Sequence, residues 1–509
     1  MLAYGRLWIA YLVVFVSSAC TLVLELVAGR VLAPYVGVSL YTWTSIIGVV
    51  LAGITIGNYL GGILADRRPR RTTLGALLLA GGAASLAVLV LAAVVAPAPI
   101  GGLPLMGRIL LLATAIFFVP SAILGMISPV VVRLSLDDLS KAGHTVGKIY
   151  ACSALGSIVG TFATGFFLIA WFGTRAIILG VGVVLVVLAI ACGDLWRPAW
   201  RPAAIALVLA VAIFGLSATG LLAGPCNVAE SSYYCIQYRD GEYGGHPVRQ
   251  LILDHLIHSH SDLNDPTHLA YDYERVYAAI SADVAARRQA AGEGPIRTLL
   301  IGGGGYTYPR YLEATYPGAT IEVAEIDPAV TRAAYDYMGL APDSRVVSYN
   351  RDARLVLDEL IAAGRQYDLI FGDAFNDLSI PYHLTTREFA QKLGRLVAPG
   401  GVYVANVIDN PAYGEFMRAY ARTLNTVFPN VAVLTGQSSA ELRGLATYVV
   451  AASPQPLDAA RLDKPAERVR VVPTDRVAEW LAAGRPLVLT DDYVPVDNLM
   501  APMFAERGY

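Results

Sequence analysis

Glycines and carboxylates that follow short apolar runs in the C-terminal half are the residues best suited to chemistry. The run Thr298–Ile301 ends in four glycines, and Glu325, Asp352 and Asp373 follow the runs Ile321–Ala324, Arg345–Ser348 and Tyr367–Phe371. Glycines let a ligand approach the backbone closely. A carboxylate about 20 residues later suits ribose hydroxyls. Each acid alone also fits a helix N-cap or a turn, but together they predict a nucleoside-binding site.

The glycine run does not match the ordinary dinucleotide fingerprint. Gly302 and Gly304 fit G-x-G-x-x-G, but position 307 is Thr. A phosphate-binding loop with Lys followed by Ser or Thr is also missing from the sequence. The nucleoside is therefore not expected to be an ordinary dinucleotide.

The elements that must position these residues alternate between strand and helix. A fifth apolar strand, Gly401–Val407, follows the four runs, and helical stretches are predicted at 328–338, 353–364 and 386–397. This alternation predicts a parallel, doubly wound, Rossmann-like α/β sheet. Ligands of such sheets bind beyond the carboxyl ends of the strands, where the glycines and acids lie.

A small β region is predicted before this sheet. Tyr233–Tyr238 and Val248–Ile257 read as strands of a hairpin whose long loop is Arg239–Pro247, and a helix is predicted at 271–291. The predicted division of the chain is a helical domain at 1–223, a β and helix region at 224–292, and a nucleoside-binding domain at 293–509.

The N-terminal half has the composition of a membrane domain. The whole chain is 55% hydrophobic and 15% charged, against about 25% charged residues in soluble proteins. Residues 1–223 hold 13 Lys/Arg and 5 Asp/Glu, and the remainder holds 25 and 35. Seven stretches are long enough to cross a bilayer: 7–29, 40–65, 74–95, 109–132, 149–172, 176–192 and 203–223.

Small residues and one acid stand out within these stretches. Gly53, Gly57 and Gly61 share one helix face, and Gly156 and Gly160 repeat the spacing, which is typical of helices that pack closely in lipid. Glu25 lies inside the first stretch. It fits either a protonated group bonded to a neighbouring helix or a residue that binds or passes a substrate.

Basic residues in the loops predict the orientation. With the N-terminus in the cytoplasm, ten lie inside and three outside. The inside set is Arg6, Arg67, Arg68, Arg70, Arg71, Arg133, Lys141, Lys148, Arg197 and Arg201, and the outside set is Arg30, Arg108 and Arg175. Seven spans then place residue 224 onward outside, unless Pro120 splits its span.

Two observations bear on this placement in opposite directions. A disulfide between Cys226 and Cys235 would require an oxidising compartment. A nucleoside ligand at the predicted site favours the cytoplasm. The chain is therefore predicted to be a multi-pass membrane protein. The charge bias assigns its soluble domain to the exterior.

Several segments resemble the spermidine synthases, the polyamine aminopropyltransferases. They are RQLILDHLIHSHSD, LLIGGGGYTYPRYLE, VAEIDPAV, NRDARLVL, YDLIFGDAF, HLTTREF and LVAPGGVYVANV, which cover roughly 228–450. The segments LELVAGRVLAPYVGVS and GNYLGGILADRRPRR resemble the membrane-fused branch of that family, in which a transporter-like helical region precedes the synthase domain.

The resemblance implies a reaction and roles for residues. In the family, an amine attacks the aminopropyl carbon of decarboxylated S-adenosylmethionine, and methylthioadenosine leaves. Asp373 would hold the amine and take its proton, since an alkyl amine must lose a proton before it attacks. Glu325 would bind the ribose and Asp352 the adenine amino group. The cofactor-binding set is Gly302, Gly303, Gly304, Glu325, Ile326, Asp352 and Ala353.

The amine-binding end departs from the family pattern. The family places Asp after the third glycine, where it meets the amine of the cofactor, and this chain has Gly305. The family's Asp-Gly pair is Asp254-His255, and its Gln falls on His258, which is predicted to share a strand face with His260. The expected substrate-binding residues are His258, Tyr271 (or Tyr273), Asp377 beside Asn376, and His383.

Three functions follow from these observations. The first is a membrane-anchored aminopropyltransferase-like enzyme that uses decarboxylated S-adenosylmethionine and a polyamine or other amine. The second transfers another group from an S-adenosyl donor. The third is a non-catalytic polyamine sensor or transporter with a synthase-like domain. A lipid bilayer is expected as partner, nucleic acid and metal are not, and homodimer formation stays open.

Overall fold

The computed structural model describes residues 7–97, 103–136, 140, 142–194, 225–374, 380–437 and 440–506. The chain divides into two compact units. One comprises 1–226 with 230–235, and the other comprises 227–229 with 236–509. The predicted seventh span, 203–223, lies outside the described residues.

The first unit is a bundle of long apolar helices. Within the described residues, six helical segments are long and apolar enough to cross a membrane: Leu7–Val36, Leu40–Arg67, Arg71–Val95, Leu105–Ser135, Ala142–Trp171 and Thr174–Cys192. The fourth consists of Leu105–Gly125 and Ile127–Ser135. Pro120 lies inside Leu105–Gly125, so it does not split the segment. In the fifth, Ala142–Ala163 is followed by a π-helical turn, Thr164–Leu168, and by Ile169–Trp171.

Glycines form the closest contacts between these helices, as their spacing predicts. A Cβ on Gly57 would overlap the carbonyl oxygen of Ala122, and one on Gly61 would lie 2.6 Å from the Met126 Cα. On another pair of helices, a Cβ on Gly160 would lie 2.6 Å from the Ala19 carbonyl oxygen. Only glycine permits these backbones to approach so closely.

The segment 230–235 also belongs to this first unit. The Thr174 backbone N–H donates to Glu230 Oε1 over 3.1 Å, and the Arg30 guanidinium donates to the Ser232 carbonyl oxygen over 2.9 Å. Cys226 and Cys235 are joined by a disulfide, so the segment is closed into a short loop.

A four-stranded sheet in the order β1-β2-β3-β4 belongs mainly to the second unit, except for Glu230 and Cys235. Its strands are Ala229–Glu230, Cys235–Tyr243, His246–Leu253 and Leu256–Ser261. The predicted long-loop hairpin was wrong. The strands β2 and β3 meet at a two-residue turn, Gly244-Gly245, whose φ angles are +61° and +85°. Because both positions have positive φ, glycine is favoured at both. A second turn at Asp254-His255 separates β3 from β4.

Eight strands form the larger sheet, in the order β12-β10-β11-β9-β8-β5-β6-β7. They are β5 Arg297–Ile301, β6 Thr320–Ala324, β7 Val347–Tyr349, β8 Tyr367–Gly372, β9 Val397–Asp409, β10 Asn430–Thr435, β11 Ala446–Ser453 and β12 Arg470–Val471. The parallel part, β5 to β9, confirms the prediction. Beyond β9, the strands β11, β10 and β12 extend the sheet with antiparallel pairing, which the strand–helix alternation did not predict.

Helices cover this sheet. They are Asp272–Ala290, Thr307–Thr315, Pro328–Asp336, Ala353–Ala362, Arg387–Leu396, Phe416–Asn425, Ala459–Leu462, Thr474–Ala483 and Val496–Glu506. The core contains fully buried aromatic side chains such as Tyr277, Tyr306 and Phe371. The helix predicted at 271–291 is confirmed as Asp272–Ala290.

Candidate active site

The glycine loop follows β5 and lies against the end of β8. Gly302 and Gly304 have φ angles of +96° and +50°, which side chains rarely adopt. A Cβ on Gly302 would overlap the carbonyl oxygen of Asp373. The loop therefore needs glycine both for its conformation and for its contact with the neighbouring strand end.

Glu325 stands at the end of β6 and is tied to that loop. Its Oε2 accepts the Gly303 N–H over 2.8 Å, and its Oε1 accepts the Asp327 N–H over 2.9 Å. Burial raises the pKa of Glu325, and these N–H donors oppose the rise. A carboxylate offers about four acceptor positions, so Glu325 can still accept ribose hydroxyls. Ile326 follows it and is half-buried.

Asp352 caps the next helix and pairs with His383. Its Oδ1 accepts the Arg354 N–H over 2.8 Å, and its Oδ2 lies 2.8 Å from His383 Nε2. Ala353, which begins the helix, is buried. The structure therefore places His383 beside the acid predicted for the adenine end.

Asp373 follows β8 and has two side-chain hydrogen-bond donors. Asn406 Nδ2 donates to Oδ1 over 2.6 Å, and the Tyr273 hydroxyl donates to Oδ2 over 3.4 Å. Burial raises the pKa of Asp373 from 3.8 to about 6, against the lowering effect of both donors. A cavity of about 30 Å³, lined mainly by apolar groups, adjoins the strand end at Gly372 and Ala374. The carboxylate is thus oriented, and its charge is only partly compensated.

The sequence left open whether Tyr271 or Tyr273 contacts the substrate, and the structure gives the two hydroxyl groups different partners. The Tyr273 hydroxyl reaches Asp373, whereas the Tyr271 hydroxyl donates to the Ile257 carbonyl oxygen over 3.0 Å. Their rings stack with centroids 5.5 Å apart. Glu274 accepts the Tyr271 N–H over 3.1 Å, and burial raises the pKa of Glu274 to about 8. Tyr271 therefore stays beside the site without touching the central acid.

The histidines of β4 occupy different surroundings. Leu251 pairs with Ser259 and Ile252 with Ile257, so a bulge at His258 interrupts the alternation that was expected to align His258 with His260. Burial lowers the pKa of His258 to about 4, which keeps the ring neutral at pH 7. His260 packs 4.8 Å from the Tyr271 ring. Asp377 and Asn376 lie outside the described residues.

Sequence reasoning missed Asn406 and Glu274 as members of this site. Asn406 belongs to β9, which the sequence predicted only as a strand. Its position in that strand, three residues before Asp409, gives no sign of a contact with Asp373. Glu274 lies three residues after Tyr271, which is the spacing of a capping box, but the N-cap is Tyr rather than Ser or Thr, so the usual sequence signature is absent.

Comparison with known proteins relates the C-terminal half to aminopropyltransferases. The chain is 35% identical over 136 residues to the polyamine aminopropyltransferase of Vibrio vulnificus, which is 27% of this chain and 46% of that protein. It is 32% identical over 154 residues to a probable polyamine aminopropyl transferase of Bifidobacterium longum, 30% of this chain and 33% of that protein. The matches thus span less than half the length of these relatives. The C-terminal half has spermidine synthase-like homology.

A solved structure matches about half of the chain. A probable spermidine synthase from Corynebacterium glutamicum covers 51% of this chain and 94% of its own, at 22% identity and a TM-score of 0.43. No family model matches the chain.

Proposed function

We propose that the chain is a membrane-anchored aminopropyltransferase-like enzyme. The donor would be decarboxylated S-adenosylmethionine and the acceptor a polyamine or another alkyl amine. The observation that carries the proposal is Asp373, which lies beside the glycine loop and is oriented by Tyr273 and Asn406.

The residues at the strand ends fit a nucleoside donor. The glycine loop leaves the backbone open to a ligand, and Glu325 and Asp352 each retain acceptor capacity along the same edge of the sheet. When bound, the donor would supply an activated sulfonium leaving group. The chain would therefore mainly position the reactants.

Asp373 would orient the amine and remove its proton. With a pKa of about 6, Asp373 is ionised at pH 7 and can accept a hydrogen bond from an ammonium or amine. Tyr273 holds one carboxylate oxygen and Asn406 the other, so the carboxylate plane is fixed. Activity should then be lost as the pH falls through about 6, because protonated Asp373 cannot take the proton.

The direct test is product formation by the purified full-length protein. Decarboxylated S-adenosylmethionine is supplied with putrescine or spermidine, and methylthioadenosine is measured by mass spectrometry. We expect turnover, and Asp373→Asn should reduce it at least about 100-fold. Asp336→Asn, at an exposed helix end, is the matched control. Methylthioadenosine binding without turnover on any amine would favour the sensor function instead.

We also propose that the apolar helices span a bilayer and that the soluble unit lies outside the cytoplasm. A Cβ on Gly193 would overlap Gly75 at the start of the third helix, whereas Glu230 contacts Thr174 and Arg30 at the other end of the bundle. Glu230 therefore lies at the end of the bundle opposite Arg71, which the charge bias assigns to the cytoplasmic side. The disulfide and the excess of basic residues in the inside loops support the same placement.

Thiol labelling in intact cells tests the placement. Cys226 and Cys235 are probed with a membrane-impermeant maleimide, in a background that lacks Cys20, Cys152 and Cys192. We expect labelling only after reduction. A cysteine introduced as Asp194→Cys should label only in permeabilised cells. Free thiols that label only after permeabilisation would place the soluble unit in the cytoplasm.

A further inference from the structure

Ser259 occupies the space where a side chain at position 305 would lie. A Cβ on Gly305 would overlap the Ser259 hydroxyl oxygen and would lie 2.9 Å from the Ser259 Cβ. Ser259 is fixed by the pairing of β4 with β3 opposite Leu251. Position 305 therefore requires glycine, because Ser259 of the four-stranded sheet places its hydroxyl group in the space that a side chain would occupy.

That hydroxyl group is buried and unsatisfied. Ser259 is 4% exposed, and in the described part of the chain its Oγ has no hydrogen-bond partner. Buried hydroxyl groups nearly always have a partner, and an exception beside a ligand-facing loop points to a group that arrives with the ligand.

The neighbouring contacts indicate which part of the ligand this is. The Gly303 N–H is bound by Glu325, the expected ribose acid, and Asp352 lies further along the sheet edge. Gly302, at the start of the loop, contacts Asp373. In the proposed function, the side chain attached to the donor's sulfur would run from the ribose past the loop, towards β4 and Asp373.

We propose that Ser259 binds the amino group at the end of the donor's sulfonium side chain, and this inference rests on the proposed function. The hydroxyl oxygen accepts a hydrogen bond from that ammonium group. Because the hydroxyl group is neutral, Ser259 can bind the amine without repelling a carboxylate group that the donor's side chain also carries. Ser259 is thus the residue that sets how strongly the site distinguishes donor side chains.

Calorimetry with two nucleosides on the full-length protein tests the assignment. Methylthioadenosine lacks the amine, and the adenosine thioether that carries a 3-aminopropyl chain has it. Ser259→Ala should weaken binding of the aminopropyl thioether about tenfold or more, the scale of a hydrogen bond to a charged group. Methylthioadenosine should bind with unchanged affinity, which also shows that the variant is folded.

A second variant provides an independent check. Ser259→Gly with Gly305→Asp removes the overlap and offers a carboxylate, so it should bind the aminopropyl thioether more tightly than Ser259→Ala does. Equal affinity of wild type and Ser259→Ala for the aminopropyl thioether would overturn the assignment while leaving the nucleoside site intact. Failure of the wild type to bind methylthioadenosine would instead refute the proposed function.

Discussion

Replacing Asp373 by Asn should stabilise the second unit while it removes turnover. The pKa of Asp373 is raised from 3.8 to about 6 by burial, so the folded state disfavours the ionised form. Asn has nearly the same shape. Its oxygen can accept from Asn406 and its amide can donate to the Tyr273 hydroxyl, so both contacts survive in the variant.

The magnitude and the pH window follow from this pKa. A rise from 3.8 to about 6 corresponds to about 3 kcal/mol of lost stability above pH 6. Well below pH 3.8, at about pH 3, the acid is protonated in both the folded and the unfolded state, and the cost disappears. Stability of the wild type should therefore fall as the pH rises from about 4 to 6, and the variant should lack this dependence.

Hydrogen exchange of the β5 and β8 amides measures the effect in the full-length protein. At pH 7.5 the variant should show up to about 100-fold greater protection, since every 1.4 kcal/mol is tenfold. At pH 3 the two proteins should match closely. Equal protection at pH 7.5 would refute the raised pKa, and a difference that persists at pH 3 would show that the gain comes from something other than ionisation. Asp336→Asn should change neither value.

Three further predictions follow from contacts in the site and in the helical unit. Tyr273→Phe removes a donor that lowers the pKa of Asp373, so the acid limb of the pH–rate profile should move to higher pH; an unmoved limb would exclude this contact from the mechanism. Glu325→Gln should weaken methylthioadenosine binding by roughly 1–3 kcal/mol in calorimetry, and equal affinities would leave Glu325 as a turn residue. Gly57→Ala should lower the thermal stability of the detergent-solubilised protein because of the Ala122 carbonyl, whereas Gly62→Ala, with open space around it, should not; equal melting temperatures would contradict the packing argument.

Local signals in the sequence were sufficient to predict the elements of the site. The apolar runs that end in Gly302, Glu325 and Asp373 are strand ends of the parallel sheet. Because parallel strands align their carboxyl ends at one edge, their order along the chain was enough to predict that these residues lie together. The glycine spacing in the helical unit likewise encoded helix contacts, since residues four apart share one face.

The tertiary structure decided the contacts that join distant segments. Asn406 and Tyr273 reach Asp373 from 33 and 100 residues away, and no local pattern records such partners. The bulge at His258 and the antiparallel edge of the sheet depend on strand pairing, which is a long-range choice. The sequence showed only that Gly305 departs from the family. The reason, a hydroxyl group from another sheet in the same space, required the three-dimensional arrangement because side-chain volume is shared between segments far apart in the chain.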